Sequence, residues 1–375
     1  MASSPILSDF VSSDNPLVSV QELAKNLLIT VPQQYVRFDG GQPTTDLFDN
    51  TYSFPKIPTI DMNNLVMAGE IGDLELEKLH SSCKDWGIFQ LVNGVRPSLL
   101  EKVKHEVEEF FKLPLEEKMK YKIRPGEVEG YGTITRTDNQ KVDWSDRVYM
   151  ILNPVTKRKP YLFSELPSSL RTTLESYFMD LQKLAMTLFG LLGKALNLDQ
   201  DVLMKDLFED GMQSLRMTYY PPCPQPELVV GISPHSDASG ITILNQLNGV
   251  SGLQIYKDGV WLPVEFLHQD ALMVNVGDVL EIMSNGAYKS IEHRVIPNSS
   301  KERISMAVFF NPKYEEEIGP LSNFVNPQNP PLFKRIGMEK YVHDFFSRRK
   351  LDGKTFLEQM RIKNGENTDN LIITT

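Results

Sequence analysis

Between Gln213 and Phe310 the chain breaks into short runs rich in Val, Ile and Tyr, with turn signals between them, and this pattern does most to limit the fold. The runs are Ser214–Tyr220, Val229–Ser233, Ile241–Asn245, Leu253–Tyr256, Val260–Val264, Ala271–Val276, Val279–Met283, Ser290–Val295 and Arg303–Phe310. Such runs are too short to bury themselves singly. About eight strands of this kind in succession predict a sandwich or a jelly roll. Lys257-Asp258-Gly259 marks a hairpin, since Asp-Gly tolerates the positive φ that tight hairpin turns require.

The preceding part of the chain has a helical period. A polar lead-in, 1–50, holds one short helix near Val18–Leu28. Phe54–Asp61 reads as an edge strand, because its prolines cannot donate to a ladder. Leu74–Trp86 and Pro97–Phe111 are amphipathic helices, with a new start at Pro114, and Gly87–Val92 between them is a buried strand. Residues 167–196 carry one broad apolar stripe that predicts a long packed helix. Pro125–Asn139 is rich in Gly and Thr and reads as a functional loop, with 126–133 as a lid. Helices near Met338–Phe346 and Thr355–Arg361 are expected to close the mouth of a pocket. The chain thus divides into a lead-in (1–50), a mainly helical region (51–205), a β core (206–315) and a helical tail (316–375), a mixed α/β architecture working as one unit.

A net charge of −10 argues against nucleic acid or an anionic membrane as partner, because both reward a basic surface. No run approaches the roughly 18 apolar residues of a membrane span, and Met-Ala-Ser-Ser-Pro has no secretory character. Cys83 and Cys223 are therefore expected as free thiols in a cytoplasmic monomer that acts on a small molecule.

Within the β-rich part, His235 and Asp237 stand at i and i+2, and His293 lies in a later run. Alternate residues of a strand share a face, so His235 and Asp237 can reach one metal, and a jelly roll can bring His293 alongside. Two imidazoles and a carboxylate leave positions open on the ion. That set suits Fe(II) better than a closed zinc site. The same three residues also fit a turn histidine, an aspartate cap and a core histidine. Arg303 and Ser305, again i and i+2, offer a planar cation and a hydroxyl to an acidic cosubstrate, and Tyr220 offers a phenol. A zinc hydrolase has little support, as neither a nucleophile elbow nor His-Glu-x-x-His is present.

Motifs in order along the chain resemble those of the plant 2-oxoglutarate- and Fe(II)-dependent dioxygenases. They are Phe-Pro-x-Ile-Pro-x-Ile-Asp (54–61), Trp-Gly-Ile-Phe-Gln-Leu-Val-Asn-Gly (86–94), Tyr-Tyr-Pro-Pro-Cys-Pro (219–224), Pro-His-Ser-Asp (234–237), Gly-Leu-Gln-Ile (252–255), Val-Asn-Val-Gly-Asp (274–278), Ile-Glu-His-Arg-Val (291–295) and Arg-Ile-Ser (303–305). Gln140–Trp144 is similar to the branch of senescence-related oxygenases and thebaine and codeine O-demethylases. The resemblance implies a double-stranded β-helix (jelly-roll) core flanked by helices. It implies His235, Asp237 and His293 as iron ligands, with Arg303, Ser305 and Tyr220 holding the far carboxylate of 2-oxoglutarate. It also implies O₂ as co-reactant, ascorbate as a supporting reductant, and oxidation of a bulky alkaloid or flavonoid with release of succinate and CO₂. Tyr131, Thr133, Arg216 and Phe309 occupy positions that face substrate in flavonoid-acting relatives. Thr218 departs from the pattern, since many relatives have Asn there. The rival expectations are an Fe(II) oxidase that needs no 2-oxoglutarate and a catalytically silent binding protein on the same fold.

Overall fold

The structure is a computed structural model and describes residues 19–26, 28–37, 55–132, 141–198, 207–268, 270–347 and 355–363. Twelve strands build its centre: β1 Thr59–Asp61, β2 Ile88–Val92, β3 Gly130–Tyr131, β4 Asp146–Asn153, β5 Gln213–Tyr220, β6 Ile232–His235, β7 Ile241–Gln246, β8 Leu253–Lys257, β9 Val260–Pro263, β10 Leu272–Val276, β11 His293–Val295 and β12 Arg303–Phe310. Eight form one sheet in the order β1-β2-β10-β7-β12-β5-β4-β3, and β6-β11-β8-β9 form a second. This is the expected jelly roll, with two sheets facing across a shared interior.

Register assigns each side chain of the larger sheet to a face. Cross-strand partners share a face. Arg303 stands opposite Tyr220, Ser305 opposite Thr218, Ala307 opposite Arg216 and Phe309 opposite Ser214. These residues look toward the smaller sheet. The alternate set, including Leu215, Met217, Ile304, Met306, Val308 and Phe310, joins the main apolar core. That core includes Leu181, Leu184, Leu188 and Leu192 of the helix Ser168–Ala195, the element that the broad apolar stripe predicts. Between the sheets, Tyr220 and Met273 pack with Leu253, Ile255 and Val295 in a second apolar cluster.

The structure departs from the sequence reading in two elements. Val279–Met283, expected as a strand, lies in a helix, Asp278–Met283. Every residue of that helix is buried, so no face alternates, and a short apolar run carries no periodicity that separates strand from helix. Gly277 starts it by approaching the Ser239 carbonyl, where an added Cβ would sit 2.1 Å from the oxygen. In the other departure, β3 and β4 join the two strands expected in the N-terminal part, so that part supplies four strands to the large sheet. β4, Asp-Arg-Val-Tyr-Met-Ile-Leu-Asn, is largely buried on both faces and therefore shows no alternation.

One buried carboxylate ties the start of the described lead-in to the barrel. Asp146, at the start of β4, accepts from the Ser19 hydroxyl, from the Val20 amide at 2.8 Å and from the Tyr131 hydroxyl at 2.8 Å. Ser19 in turn caps the helix Val20–Ala24 by accepting from the Glu22 amide. Gln21 and Lys118 continue the network to the Phe111 carbonyl. Asp146→Ala orphans several buried donors at once. It is expected to cost about 3 kcal/mol in chemical denaturation and to expose residues near Ser19 to proteolysis. A change below about 0.5 kcal/mol, within the range of ordinary surface substitutions, would show that the Asp146 network does not hold this end of the lead-in.

Candidate metal and cosubstrate site

β6 ends at His235, and the chain turns immediately, so Asp237 sits in the loop that follows the strand. His293 is the direct cross-strand partner of His235 in the β6–β11 pair, which brings the imidazole centroids to 4.3 Å. His235, Asp237 and His293 offer ligand atoms that all lie within 4.8 Å of one another. Among the described residues they form the one cluster of three or more metal-type side chains.

The hydrogen bonds around the trio decide which atoms point inward. His235 Nδ1 meets the Ser233 carbonyl at 2.8 Å, and His293 Nδ1 meets the Ile291 carbonyl at 3.1 Å. A carbonyl only accepts, so both rings carry a proton on Nδ1, which leaves Nε2 as the atom that can ligate. Asp237 Oδ2 accepts from Thr242 Oγ1 at 2.7 Å and Asn275 Nδ2 at 2.8 Å. That leaves Oδ1 facing the two Nε2 atoms, at 3.6 Å from His235 and 3.7 Å from His293. The Asp237 carbonyl is held as well, by the Asp278 amide at 2.8 Å.

Electrostatics favour the ligating forms. Burial, with the His293 imidazole second, pushes His235 down to about 3, so the ring stays neutral. Burial opposes ionisation of Asp237, but the two imidazoles and the bonds from Asn275 and Thr242 outweigh it and hold the carboxyl below its ordinary value.

Asn275 and Thr242 were not singled out as site residues from sequence. The available signal was a lone amide in the otherwise apolar run Leu-Met-Val-Asn-Val, where a buried polar group needs a partner. Asn275→Ala is expected to weaken iron affinity about 10–100-fold, the usual cost of removing a group that orients a metal ligand. Anaerobic Fe(II) titration with a competing chelator measures it, and unchanged affinity would mean that Asp237 is oriented without the amide.

Arg303 is 1% exposed and points into the same interior. Its Nη1 donates to Ser305 Oγ at 3.2 Å and its Nη2 to Gln246 Oε1 at 3.4 Å. Nε has no partner, and no carboxylate pairs with the guanidinium among the described residues. Burial pulls its pKa down. A buried cation left this way is costly unless an anion completes it, and a dicarboxylate fits the need. Tyr220 lies beneath, with the guanidinium 5.0 Å from its ring centroid. Gly252 makes the room: a Cβ there would meet the Ile296 carbonyl oxygen at 2.6 Å and Arg303 Cδ at 3.2 Å.

The substrate-facing set divides. Arg216 and Phe309 lie on the inner face with Ser305. Tyr131 does not. It pairs with Val148, which pairs with Met217, and this register places it on the opposite face. It is fully buried and its hydroxyl is engaged by Asp146, so the expectation of a substrate contact is corrected to a structural role. Thr133 lies outside the described residues. Of the Gly-rich stretch 126–133, the described part is anchored: Gly130, at φ 129°, sits so close to the Tyr121–Ile123 backbone that a Cβ would clash. Tyr149, opposite Arg216 on β4, is a further inner-face aromatic, and Phe346 of the helix Met338–Ser347 packs on it at 5.8 Å.

Comparison with known proteins agrees with this geometry. Residues 211–312 match the 2OG-Fe(II) oxygenase superfamily, and residues 57–168 match the N-terminal region of the non-haem dioxygenases in morphine synthesis. Codeine O-demethylase of Papaver somniferum is 49% identical over 92% of this chain and 96% of its own length. The chain belongs to the 2OG-Fe(II) oxygenase superfamily. The oxoglutarate-dependent flavonoid 7-O-demethylase 1 of Ocimum basilicum is 47% identical over 92% of this chain and 91% of its own length. The crystal structure of JOX2 in complex with 2OG, Fe and JA superposes with a TM-score of 0.83 at 34% identity, covering 93% of this chain and 99% of that one. This oxygenase therefore uses Fe(II) and 2-oxoglutarate and acts on a small molecule. Among the described residues no helix is long and apolar enough to cross a membrane.

Proposed function

We propose that this oxygenase removes the methyl group from a methyl ether on a bulky, largely apolar specialised metabolite of alkaloid or flavonoid type. The observation that carries the reading is the convergence, inside one barrel, of an open His-Asp-His trio and a buried arginine that no carboxylate among the described residues pairs with. His235, Asp237 and His293 would hold Fe(II) through two Nε2 atoms and Oδ1. Arg303, Ser305 and Tyr220 would hold the far carboxylate of 2-oxoglutarate. The demethylase activities named for the codeine and flavonoid enzymes support demethylation over simple hydroxylation.

Iron, 2-oxoglutarate and O₂ together supply an oxidant that inserts oxygen into a C–H bond, with succinate and CO₂ as co-products. The protein's own residues position and protect. The Nδ1–H donors fix the ring planes of His235 and His293, while Thr242 and Asn275 turn Asp237 so that Oδ1 faces the two Nε2 atoms and would be the oxygen offered to iron. The guanidinium of Arg303 orients the cosubstrate from its far end. Tyr149, Phe309 and Phe346 give the substrate side an aromatic lining that excludes water. A hydroxylated O-methyl carbon is a hemiacetal, which collapses to formaldehyde and a free hydroxyl.

Incubating the purified enzyme with a panel of methoxylated plant metabolites, Fe(II), ascorbate and 2-oxoglutarate tests this by mass spectrometry. Loss of a methylene together with formaldehyde is expected. A product that has gained one oxygen, with no demethylation, would contradict the assignment. We further infer a cytoplasmic monomer organised as the four segments 1–50, 51–205, 206–315 and 316–375. The two buried free thiols, Cys83 and Cys223, fit a reducing compartment.

A further inference from the structure

We propose that Asp143 is a positioning residue for the iron site: it fixes Ser233, whose carbonyl orients His235, and it links that hold to Arg37 of the lead-in. This rests on the oxygenase reading above, in which His235 is an iron ligand.

His235 ends an edge strand. In the sheet order β6-β11-β8-β9, β6 has a neighbour on one side, β11. The pairing slips just before the ligand. His293 faces His235 and Val295 faces Ile232, so Ser233 and Pro234 stand opposite the single residue Arg294. A bulge of this kind leaves one residue out of the ladder and re-aims the side chain beside it. Pro234 has no N–H to add. Strand pairing alone therefore leaves the Ser233 peptide loosely set. Yet it is the carbonyl of this residue that receives His235 Nδ1, at 2.8 Å.

The further restraint comes from residues 141–145, which include the described part of the stretch that resembles the O-demethylase branch. This segment holds the chain entering β6 at three places. The Trp144 amide donates to the Val230 carbonyl at 2.7 Å, and Ser145 Oγ donates to the Gly231 carbonyl at 2.8 Å. Ser233 Oγ donates to Asp143 Oδ1 at 2.6 Å, which pins the bulged residue itself. Asp143 is held in turn from the lead-in. Arg37 Nη2 donates to the same Oδ1 at 2.9 Å and to the Lys141 carbonyl at 3.2 Å. Both side chains of this ion pair are 22% exposed, so salt screens it less than a surface pair. Arg37 is fixed by its own amide, which donates to the Leu228 carbonyl at 2.8 Å, and Tyr35 packs edge-on against Trp144 at 5.1 Å. The chain of contacts thus runs from Arg37 through Asp143 and Ser233 to the imidazole of His235.

Anaerobic Fe(II) titration of the full chain against a competing chelator tests this, together with the visible absorption of the Co(II)-loaded protein, which reports ligand geometry. Asp143→Ala and Ser233→Ala are each expected to weaken Fe(II) binding about tenfold, the low end for loss of a group that orients a metal ligand, and to shift the Co(II) bands. Ser233→Ala removes one hydroxyl and leaves the ion pair in place, so it carries the test if Asp143→Ala does not fold. Ser233→Thr keeps the hydroxyl, and Asp143→Asn keeps an oxygen that accepts from it, so both should retain most of the affinity. Asp146→Ala, which loosens the other end of the lead-in, is the structural comparison. Its thermal stability should fall while its Fe(II) affinity and Co(II) bands stay those of the wild type. Wild-type affinity and bands in Ser233→Ala would overturn the proposal. So would equal losses of affinity in Asp143→Ala and Asp146→Ala, which would make Asp143 a general anchor of the fold. A wild-type protein that binds no Fe(II) would instead overturn the oxygenase reading on which the proposal rests.

Discussion

Asp237→Ala is expected to abolish iron retention and, with it, 2-oxoglutarate turnover. The carboxylate is the sole anionic member of the trio, and its Oδ1 is the atom both histidine Nε2 atoms face. Without it only the two imidazoles remain, and burial already resists the gain of charge at His235. Removing an orienting partner costs about 10–100-fold, so loss of the ligand itself should exceed that range. Metal analysis after anaerobic reconstitution reads the first effect, and succinate release reads the second. The substitution also leaves Thr242 and Asn275 without their shared acceptor, so a fall in thermal stability should accompany it. An Asp237→Ala enzyme that retains iron and full turnover would remove the trio from the account.

Arg303→Ala should raise the KM for 2-oxoglutarate far more than the KM for the organic substrate. Loss of one partner from a buried charge pair costs on the order of 2–5 kcal/mol, which is about 30-fold or more in affinity. Arg303→Lys should recover only part of this, because an ammonium cannot reproduce the planar fork. Steady-state kinetics with each substrate varied in turn separates the two constants. If both rose equally, or neither moved, Arg303 would not be the carboxylate anchor.

Much of the fold was readable because β5 to β12 are short strands between clear turns, and the long helix Ser168–Ala195 has an unbroken apolar stripe. The trio was readable because His235 and Asp237 are two apart at a strand end and the resemblance placed His293 with them. What sequence missed follows from burial on all sides. In Asp278–Met283 every position is buried, and in β4 both faces are largely covered, so the periods that separate strand, helix and loop are erased. The error at Tyr131 has the same root. Its face depends on the register of β4, and once that strand goes unseen the side of the sheet that Tyr131 occupies cannot be fixed. Asp146 shows a further limit. Its partner Ser19 is 127 residues away and unmarked in sequence, and only folding brings it together with Tyr131 on one carboxylate.

The most direct test of the central claim is the yield of succinate per molecule of oxidised product under single-substrate turnover. A 2-oxoglutarate oxygenase built on His235, Asp237 and His293 should give equimolar succinate and product in the wild type and neither in Asp237→Ala. Product formed without succinate would contradict the account and point to an iron oxidase that draws all its electrons from the substrate.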